Sequence, residues 1–141
     1  MKCPMVTVIV PCRNEERYIA GCLDSILANT YPREALEVLV VDGRSDDGTR
    51  VVLTDYIARH PTVRMLDNPR RIQAAALNIG IGAARGEILV RMDAHVVYPP
   101  NYITDLVAAL LETGAGNVGG VLVTVPPNET AVARPNAVGM S

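Results

Sequence analysis

The chain has 141 residues, 49% of them hydrophobic, which suits one domain with a substantial buried core. Its 13 basic and 15 acidic residues give a net charge of −2, so the sequence lacks the basic surplus that a nucleic-acid partner favours. No secretory signal precedes the first apolar run, and no run approaches the ~20 apolar residues that span a bilayer. The sequence therefore predicts a cytoplasmic protein. Its three cysteines have no C-x-x-C spacing and are expected to be reduced.

Strand-like and helix-like segments alternate along the chain. The predicted strands are short, apolar and rich in β-branched residues, and Pro11 is expected to stop the first one. The predicted helices carry apolar residues at i, i+3 and i+4 spacing. In chain order the pattern predicts strand 6–10, helix 16–28, strand 38–41, helix 49–59, strand 63–66, helix 72–84, strand 88–92, helix 101–113 and a last strand 118–125. This order predicts an α/β fold with a mostly parallel sheet and helices on both faces.

Polar residues follow three of the predicted strands. The segments are Pro11-Cys12-Arg13-Asn14-Glu15-Glu16, Asp42-Gly43-Arg44-Ser45-Asp46-Asp47-Gly48-Thr49 and Asp93-Ala94-His95. In a parallel sheet they meet at one edge, here called the rim, where ligands of such folds collect. Carboxylates and amides there can accept hydrogen bonds from a base and a ribose, and a carboxylate or imidazole can hold a cation. Taken singly, such residues are as well explained by turns and helix caps, but three converging segments favour a nucleotide site.

Five segments in order also carry a family resemblance. They are the segments 8–16 and 40–49, Ala76-Leu77-Asn78-Ile79-Gly80, Ala84-Arg85-Gly86-Glu87-Ile88 and Met92-Asp93-Ala94-His95. Together they resemble the opening of family 2 glycosyltransferases of the GT-A fold, and most of all the succinoglycan-biosynthesis ExoA-like enzymes, in which Asn117-Val118-Gly119-Gly120 is also expected. The resemblance runs from about residue 6 to residue 123. It implies that residues 1–141 are the nucleotide-sugar-binding part of a truncated GT-A domain whose C-terminal acceptor half is missing.

The resemblance implies roles for single residues. Pro11, Asn14 and Glu15 match a nucleotide-contacting loop, and Asp42 matches the carboxylate that reads the uracil ring of a UDP-sugar. If Asp42 is a surface loop acid, replacing it with alanine is expected to leave folding intact. Arg71 and Asn78, before and within the third helix, are candidates for the same cleft. Arg71 is either a diphosphate contact or a solvated arginine.

The same resemblance implies a divalent cation, Mn²⁺ or Mg²⁺, at the end of the fourth strand. Asp93 matches the first acid of a D-x-D motif, followed by Ala94, and His95 stands where many members have a metal-binding aspartate. An imidazole ligand suits Mn²⁺ better than Mg²⁺. His95 is alternatively a phosphate contact or a residue that caps the strand end.

The implied function is that of an inverting glycosyltransferase. It would move a sugar from a nucleotide-sugar, expected to be UDP-linked, to a glycan or lipid-linked acceptor in polysaccharide biosynthesis. Such an enzyme needs a general base, usually in a Glu-Asp pair downstream. The acids that follow His95 are Asp105, Glu112 and Glu129, and they form no such pair, so the base is expected beyond Ser141. Contact with the inner face of the cell membrane is expected only through segments absent from this chain.

Other classes of protein fit the sequence less well. A non-catalytic, nucleotide-binding GT-A-like module is the first alternative. A sugar nucleotidyltransferase is the second, but it usually has a glycine-rich loop after strand one, where this chain has no glycine. The segment 80–86 resembles the dinucleotide-binding G-x-G-x-x-G motif, yet its third glycine comes one place late and the segment ends a helix.

Overall fold

The computed structural model of the chain describes residues 3–113. The predicted strand 118–125 lies outside them. The elements are β1 Val6–Cys12, α1 Ile19–Leu27, a 3-10 turn at Arg33–Ala35, β2 Leu36–Asp42, α2 Thr49–Arg59, β3 Val63–Asp67, α3 Gln73–Ala83, β4 Ile88–Arg91 and α4 Tyr102–Thr113. None of the helices within this part of the chain combines the length and the hydropathy needed to cross a membrane.

The four strands form one parallel sheet in the order β3-β2-β1-β4. All seven residues of β2 are buried, as a strand covered on both faces requires. The chain builds outward from β1 to β2 and β3, and then crosses to the other side of β1 to form β4. This change of direction creates a topological switch point beside β1, where open α/β sheets bind ligands beyond the carboxyl ends of their strands.

Helices cover both faces of the sheet, as predicted. On one face, α1, α2 and α4 pack against alternate residues of β1 and β2, and Val8, Leu23 and Leu106 are fully buried there. On the other face, α3 lies over Ile9 and Val41. A methyl group on Gly80 of α3 would lie 2.6 Å from Ile9 Cγ2, so the glycine permits this close approach.

The first strand is longer than predicted. Pro11 does not stop β1, which runs on through Cys12 in register with Asp42. The paired residues of β4 reach only as far as Ile9, so Pro11 lies where β1 pairs with β2 alone. A proline without an N–H is tolerated at such a one-sided position.

A buried acid fixes the end of the sheet opposite the rim. Glu37 of β2 accepts hydrogen bonds from the Thr7 hydroxyl at 2.6 Å and from the Arg85 N–H at 2.7 Å. The N–H of Gly86 donates to the Thr7 hydroxyl at 2.8 Å. The segment Arg85-Gly86 therefore ties the end of α3 to the sheet, which is a structural role.

Candidate functional site

A cleft of about 180 Å³ opens at the rim between the loop after β1 and the start of α3. Its lining includes Pro11, Arg13 and Glu15 on one side and Asn68, Arg71 and Gln73 on the other. A larger cavity of about 640 Å³ lies at the other end of the sheet, beside Met5, Glu34 and Glu87. Because parallel α/β sheets bind ligands at the carboxyl ends of their strands, the smaller cleft is the candidate site.

The loops after β1 and β2 are joined by reciprocal hydrogen bonds. Arg13 Nη1 donates to the carbonyl oxygens of Gly43 at 2.6 Å and Arg44 at 2.7 Å. The Asn14 N–H donates to Ser45 Oγ at 2.8 Å, and Asn14 Oδ1 accepts from the Asp46 N–H at 2.9 Å. Asn14 was predicted to contact the nucleotide. In the structure its backbone N–H and its side-chain oxygen are both hydrogen-bonded to the loop after β2.

Unusual backbone geometry is concentrated at the rim. Among residues 3–113, the non-glycine residues with positive φ are Asn14 at 53°, Arg44 at 57° and Arg71 at 65°. They follow β1, β2 and β3 respectively. Such conformations are rare for arginine and persist only where the surroundings enforce them, which is typical of ligand sites. Gly43 makes room for one of them, since a methyl group there would lie 3.2 Å from Arg71 Cα.

The expectation that Asp42 is a surface acid is wrong. Its side chain has an exposed fraction of 0%. The carboxylate accepts from the Ser45 N–H at 3.0 Å, from Ser45 Oγ at 2.5 Å and from Arg50 Nε at 2.6 Å. Asp42 thus lies at the predicted place on the rim, but in this structure its oxygens are turned toward the protein.

Sequence reasoning missed two partners of Asp42. Asp67 ends β3 directly beside Asp42 in the sheet register, and Arg50 lies in the first turn of α2. Arg50 Nη2 donates to Asp67 Oδ1 at 2.8 Å, and Arg44 Nη2 donates to Asp67 Oδ2 at 3.2 Å. These two guanidinium groups lower the pKa of Asp67. Acids at strand ends meet at the rim, and Asp67 directly follows the predicted strand 63–66. This position was the signal that could have identified Asp67 as a rim residue.

The loop after β4 contributes residues of unequal accessibility. The Asp93 N–H donates to Tyr98 Oη at 2.7 Å, and Asp93 Oδ1 accepts from Arg91 Nη2 at 3.3 Å. Ala94 is buried, so its side chain belongs to the core and not to a ligand-contacting surface. The His95 side chain is 60% exposed.

Glu15 connects the loop after β1 with the loop after β4. Its Oε2 lies 3.7 Å from His95 Nδ1, and Glu15 also lines the cleft. Burial raises the pKa of Glu15, while His95 acts in the opposite direction. Within residues 3–113 no three His, Cys, Asp or Glu side chains form a group able to hold a metal ion. Asp93 and His95 carry donor atoms of the kinds that bind Mn²⁺, but they are not part of such a group in the described residues.

The remaining predicted residues lie in different places. Pro11 and Arg71 line the cleft. Asn78 is exposed on α3 and is not among the residues that line it. Cys12 also lines the cleft, and burial strongly raises the pKa of its thiol. The cleft thus combines Arg13 and Arg71 with the carboxylate of Glu15, a set of groups suited to a ligand with both anionic and donor groups.

Residues 7–138 match the family model described as Glycosyl transferase family 2, and the chain belongs to that family. It is 38% identical over 120 residues to succinoglycan biosynthesis protein ExoA of Rhizobium meliloti (strain 1021), covering 84% of this chain and 36% of ExoA. It is 34% identical over 133 residues to glycosyltransferase AglE of Haloferax volcanii, covering 93% of this chain and 44% of AglE. The predicted resemblance to this family, and to ExoA in particular, is confirmed.

Solved structures agree with the fold. The mannosyltransferase PcManGT from Pyrobaculum calidifontis, in complex with GDP-Man and Mn²⁺, superposes with a TM-score of 0.72 at 40% identity, over 76% of this chain and 32% of that one. Staphylococcus aureus TarS in complex with UDP-GlcNAc superposes with a TM-score of 0.65 at 25% identity, over 77% of this chain and 31% of that one. The predicted GT-A fold is confirmed. The chain spans between 31% and 44% of the length of these four relatives.

Proposed function

We propose that residues 1–141 form the nucleotide-sugar-binding part of an inverting glycosyltransferase. The enzyme would transfer a sugar from a nucleotide-sugar to a glycan or lipid-linked acceptor in polysaccharide biosynthesis. The observation that carries the proposal is the cleft at the carboxyl ends of the strands, where Arg13, Glu15 and Arg71 converge. Membership of glycosyl transferase family 2 supports the same reaction class.

The cleft residues suggest how a donor would be held. Arg71 lines the cleft, and a guanidinium is well suited to a diphosphate. Arg13 also lines the cleft, but its Nη1 is engaged by the carbonyl oxygens of Gly43 and Arg44. Glu15 offers a carboxylate to N–H groups of a base or to ribose hydroxyls. Asn14 and Ala94 would act indirectly, the first by holding the loop after β2 and the second by filling the core beneath Asp93 and His95. Asn78 is not among the residues that line the cleft, and its role stays a prediction.

A divalent cation is part of the proposal. Asp93 and His95 would hold it together with diphosphate oxygens of the donor, and PcManGT was solved with Mn²⁺. When bound, such an ion neutralises the diphosphate and makes it a better leaving group. The general base is proposed to lie outside the described residues, because Asp105 and Glu112 belong to α4 and do not line the cleft.

Two nucleobases are proposed for the donor, uracil and guanine. A UDP-sugar is the first proposal, from the position of Asp42. The structure of PcManGT holds GDP-Man and that of TarS holds UDP-GlcNAc, so a GDP-sugar is the second. Both nucleotides therefore belong in the test.

Calorimetric titration of the chain with UDP and GDP, each with and without Mn²⁺, tests the proposal. Saturable binding of one nucleotide is expected, tighter with Mn²⁺, and His95→Ala should abolish the Mn²⁺ enhancement. Glu15→Gln should weaken binding about tenfold, because a hydrogen bond to a charged group contributes at least ~1.4 kcal/mol.

Glu34→Gln is the matched control, since Glu34 lines the larger cavity at the other end of the sheet. The Glu34→Gln variant should bind each nucleotide with the same affinity as the wild type. No saturable binding of either nucleotide would contradict the proposal. Binding of a nucleotide without release of a labelled sugar from UDP-GlcNAc or GDP-mannose would instead favour the non-catalytic module.

A further inference from the structure

At the rim, one guanidinium group pairs with two carboxylates. Arg50 Nε donates to Asp42 Oδ2 at 2.6 Å, and Arg50 Nη2 donates to Asp67 Oδ1 at 2.8 Å. We call these three residues the Asp42–Arg50–Asp67 network. A second cation, Arg44, contacts Asp67 at 3.2 Å. The network therefore holds one acid that is fully buried and one that is 47% exposed.

A ligand can reach a carboxylate that has no exposed surface only if one of the groups that cover it moves away. A carboxylate has about four acceptor positions, and the protein uses three of those of Asp42. Two of the donors belong to Ser45, which lies in the loop after β2 and whose hydroxyl is itself held by the Asn14 N–H. The third is Arg50, a long side chain that is 39% exposed.

Arg50 is the donor that can leave at the lowest cost. Its guanidinium already contacts Asp67, so it would keep one ion pair while giving up the other. The loss of a partly exposed ion pair costs little, whereas moving Ser45 away would break two hydrogen bonds to Asp42 and a third with the Asn14 N–H.

Resting on the proposed donor binding, we propose that Arg50 is a positioning residue that controls the access of a nucleobase to Asp42. In the free protein it covers Asp42. When a nucleotide binds, the guanidinium turns fully onto Asp67 and leaves Asp42 Oδ2 to accept an N–H of the base. The affinity for the nucleotide is then reduced by the fraction of molecules in which Asp42 is covered. Asp67 raises the affinity, because it gives Arg50 another carboxylate to pair with.

Variants of Arg50 and Asp67 test this assignment, because they should change the nucleotide affinity in opposite directions. Calorimetry with Mn²⁺ compares the nucleotide that the wild type binds, UDP or GDP, with inorganic pyrophosphate, which has no base. Arg50→Met should tighten nucleotide binding about three- to tenfold, and Asp67→Asn should weaken it by a similar factor. In the Arg50→Met background, Asp67→Asn should have no further effect, because the two residues act through one contact. The affinity for pyrophosphate should change less than twofold.

Two variants keep the test interpretable. Arg59→Met is the matched control, because Arg59 lies on the same helix in an exposed ion pair with Asp55 and should leave both affinities unchanged. If Arg50→Met does not fold, Arg50→Lys replaces it, since an ammonium group cannot hold both carboxylates through a fork and should also tighten binding.

Specific results would overturn the assignment. Weaker or unchanged nucleotide binding in Arg50→Met contradicts it, and so does a pyrophosphate affinity that changes by the same factor as the nucleotide affinity. A wild type that binds neither UDP nor GDP contradicts the proposed function and this inference with it. A wild type that binds, with variants that bind equally well, contradicts the inference alone.

Discussion

Replacing Asp42 with alanine should destabilise the protein substantially. The substitution removes the acceptor of the Ser45 N–H, of the Ser45 hydroxyl and of Arg50 Nε. Each of these hydrogen bonds contributes roughly 1 kcal/mol, and the pair with Arg50 is not counted higher because that side chain is partly exposed. The expected loss is therefore about 3 kcal/mol, a large part of the 5 to 15 kcal/mol that is typical of a domain.

Urea denaturation followed by circular dichroism measures this loss. With an m-value of about 2 kcal/mol/M, the midpoint should fall by about 1.5 M. Asp55→Ala is the matched control, because Asp55 is an acid of α2 that is 61% exposed and pairs with Arg59. It should change stability by less than about 0.5 kcal/mol. If Asp42→Ala is as stable as Asp55→Ala, the carboxylate does not organise the loop after β2 and the reasoning fails.

Three further tests address the packing and the electrostatics of the fold. Gly80→Ala should cost about 1 to 3 kcal/mol, because its methyl group would meet Ile9 at 2.6 Å, whereas Gly82→Ala on the same helix meets nothing within 4 Å and should stabilise by up to about 1 kcal/mol; equal urea midpoints would contradict this. Because the pKa of Glu15 is raised on folding, the stability it contributes is present below its unfolded pKa and is lost as the pH rises through the folded one. Glu15→Gln should therefore raise Tm at pH 7 and raise it less near pH 4, while a lower Tm at pH 7 would refute the direction. Of the three thiols only Cys3 is exposed, so a disulfide reagent at pH 8 should titrate one thiol in the native protein and three in urea; rapid reaction of all three in the native protein would contradict the described core.

The sequence predicted the elements of the fold well because their apolar patterns are unambiguous. The helix 49–59 was predicted with its observed bounds, and β2 extends beyond the predicted 38–41 to Leu36 at one end and to Asp42 at the other. The first strand was predicted too short because a proline was treated as a stop signal. A proline interrupts a strand only where a neighbouring strand needs its missing N–H. The sequence around Pro11 does not reveal that β4 is too short to pair with β1 there.

The sequence predicted that the loops after the strands meet at one rim, but not how their side chains are arranged there. Side chains at strand ends were correctly placed at one rim, and Glu15 meets His95 there. The direction of a side chain depends on partners distant in sequence, so the sequence could not reveal that Asp42 is covered by Arg50 or that Asn14 is engaged with Ser45 and Asp46. These contacts are set by how the loops after β1 and β2 fold against each other.

The central claim is that a nucleoside diphosphate binds in the cleft at the rim and not in the larger cavity at the other end of the sheet. Amide chemical-shift mapping of the ¹⁵N-labelled chain, titrated with UDP and with GDP in the presence of Mg²⁺, tests it directly. The account predicts saturable shifts in residues 12–15, 43–49, 70–73 and 93–95, with none near Met5, Glu34 and Glu87. Saturable shifts confined to the residues of the larger cavity, or no saturable shifts with either nucleotide, would contradict it.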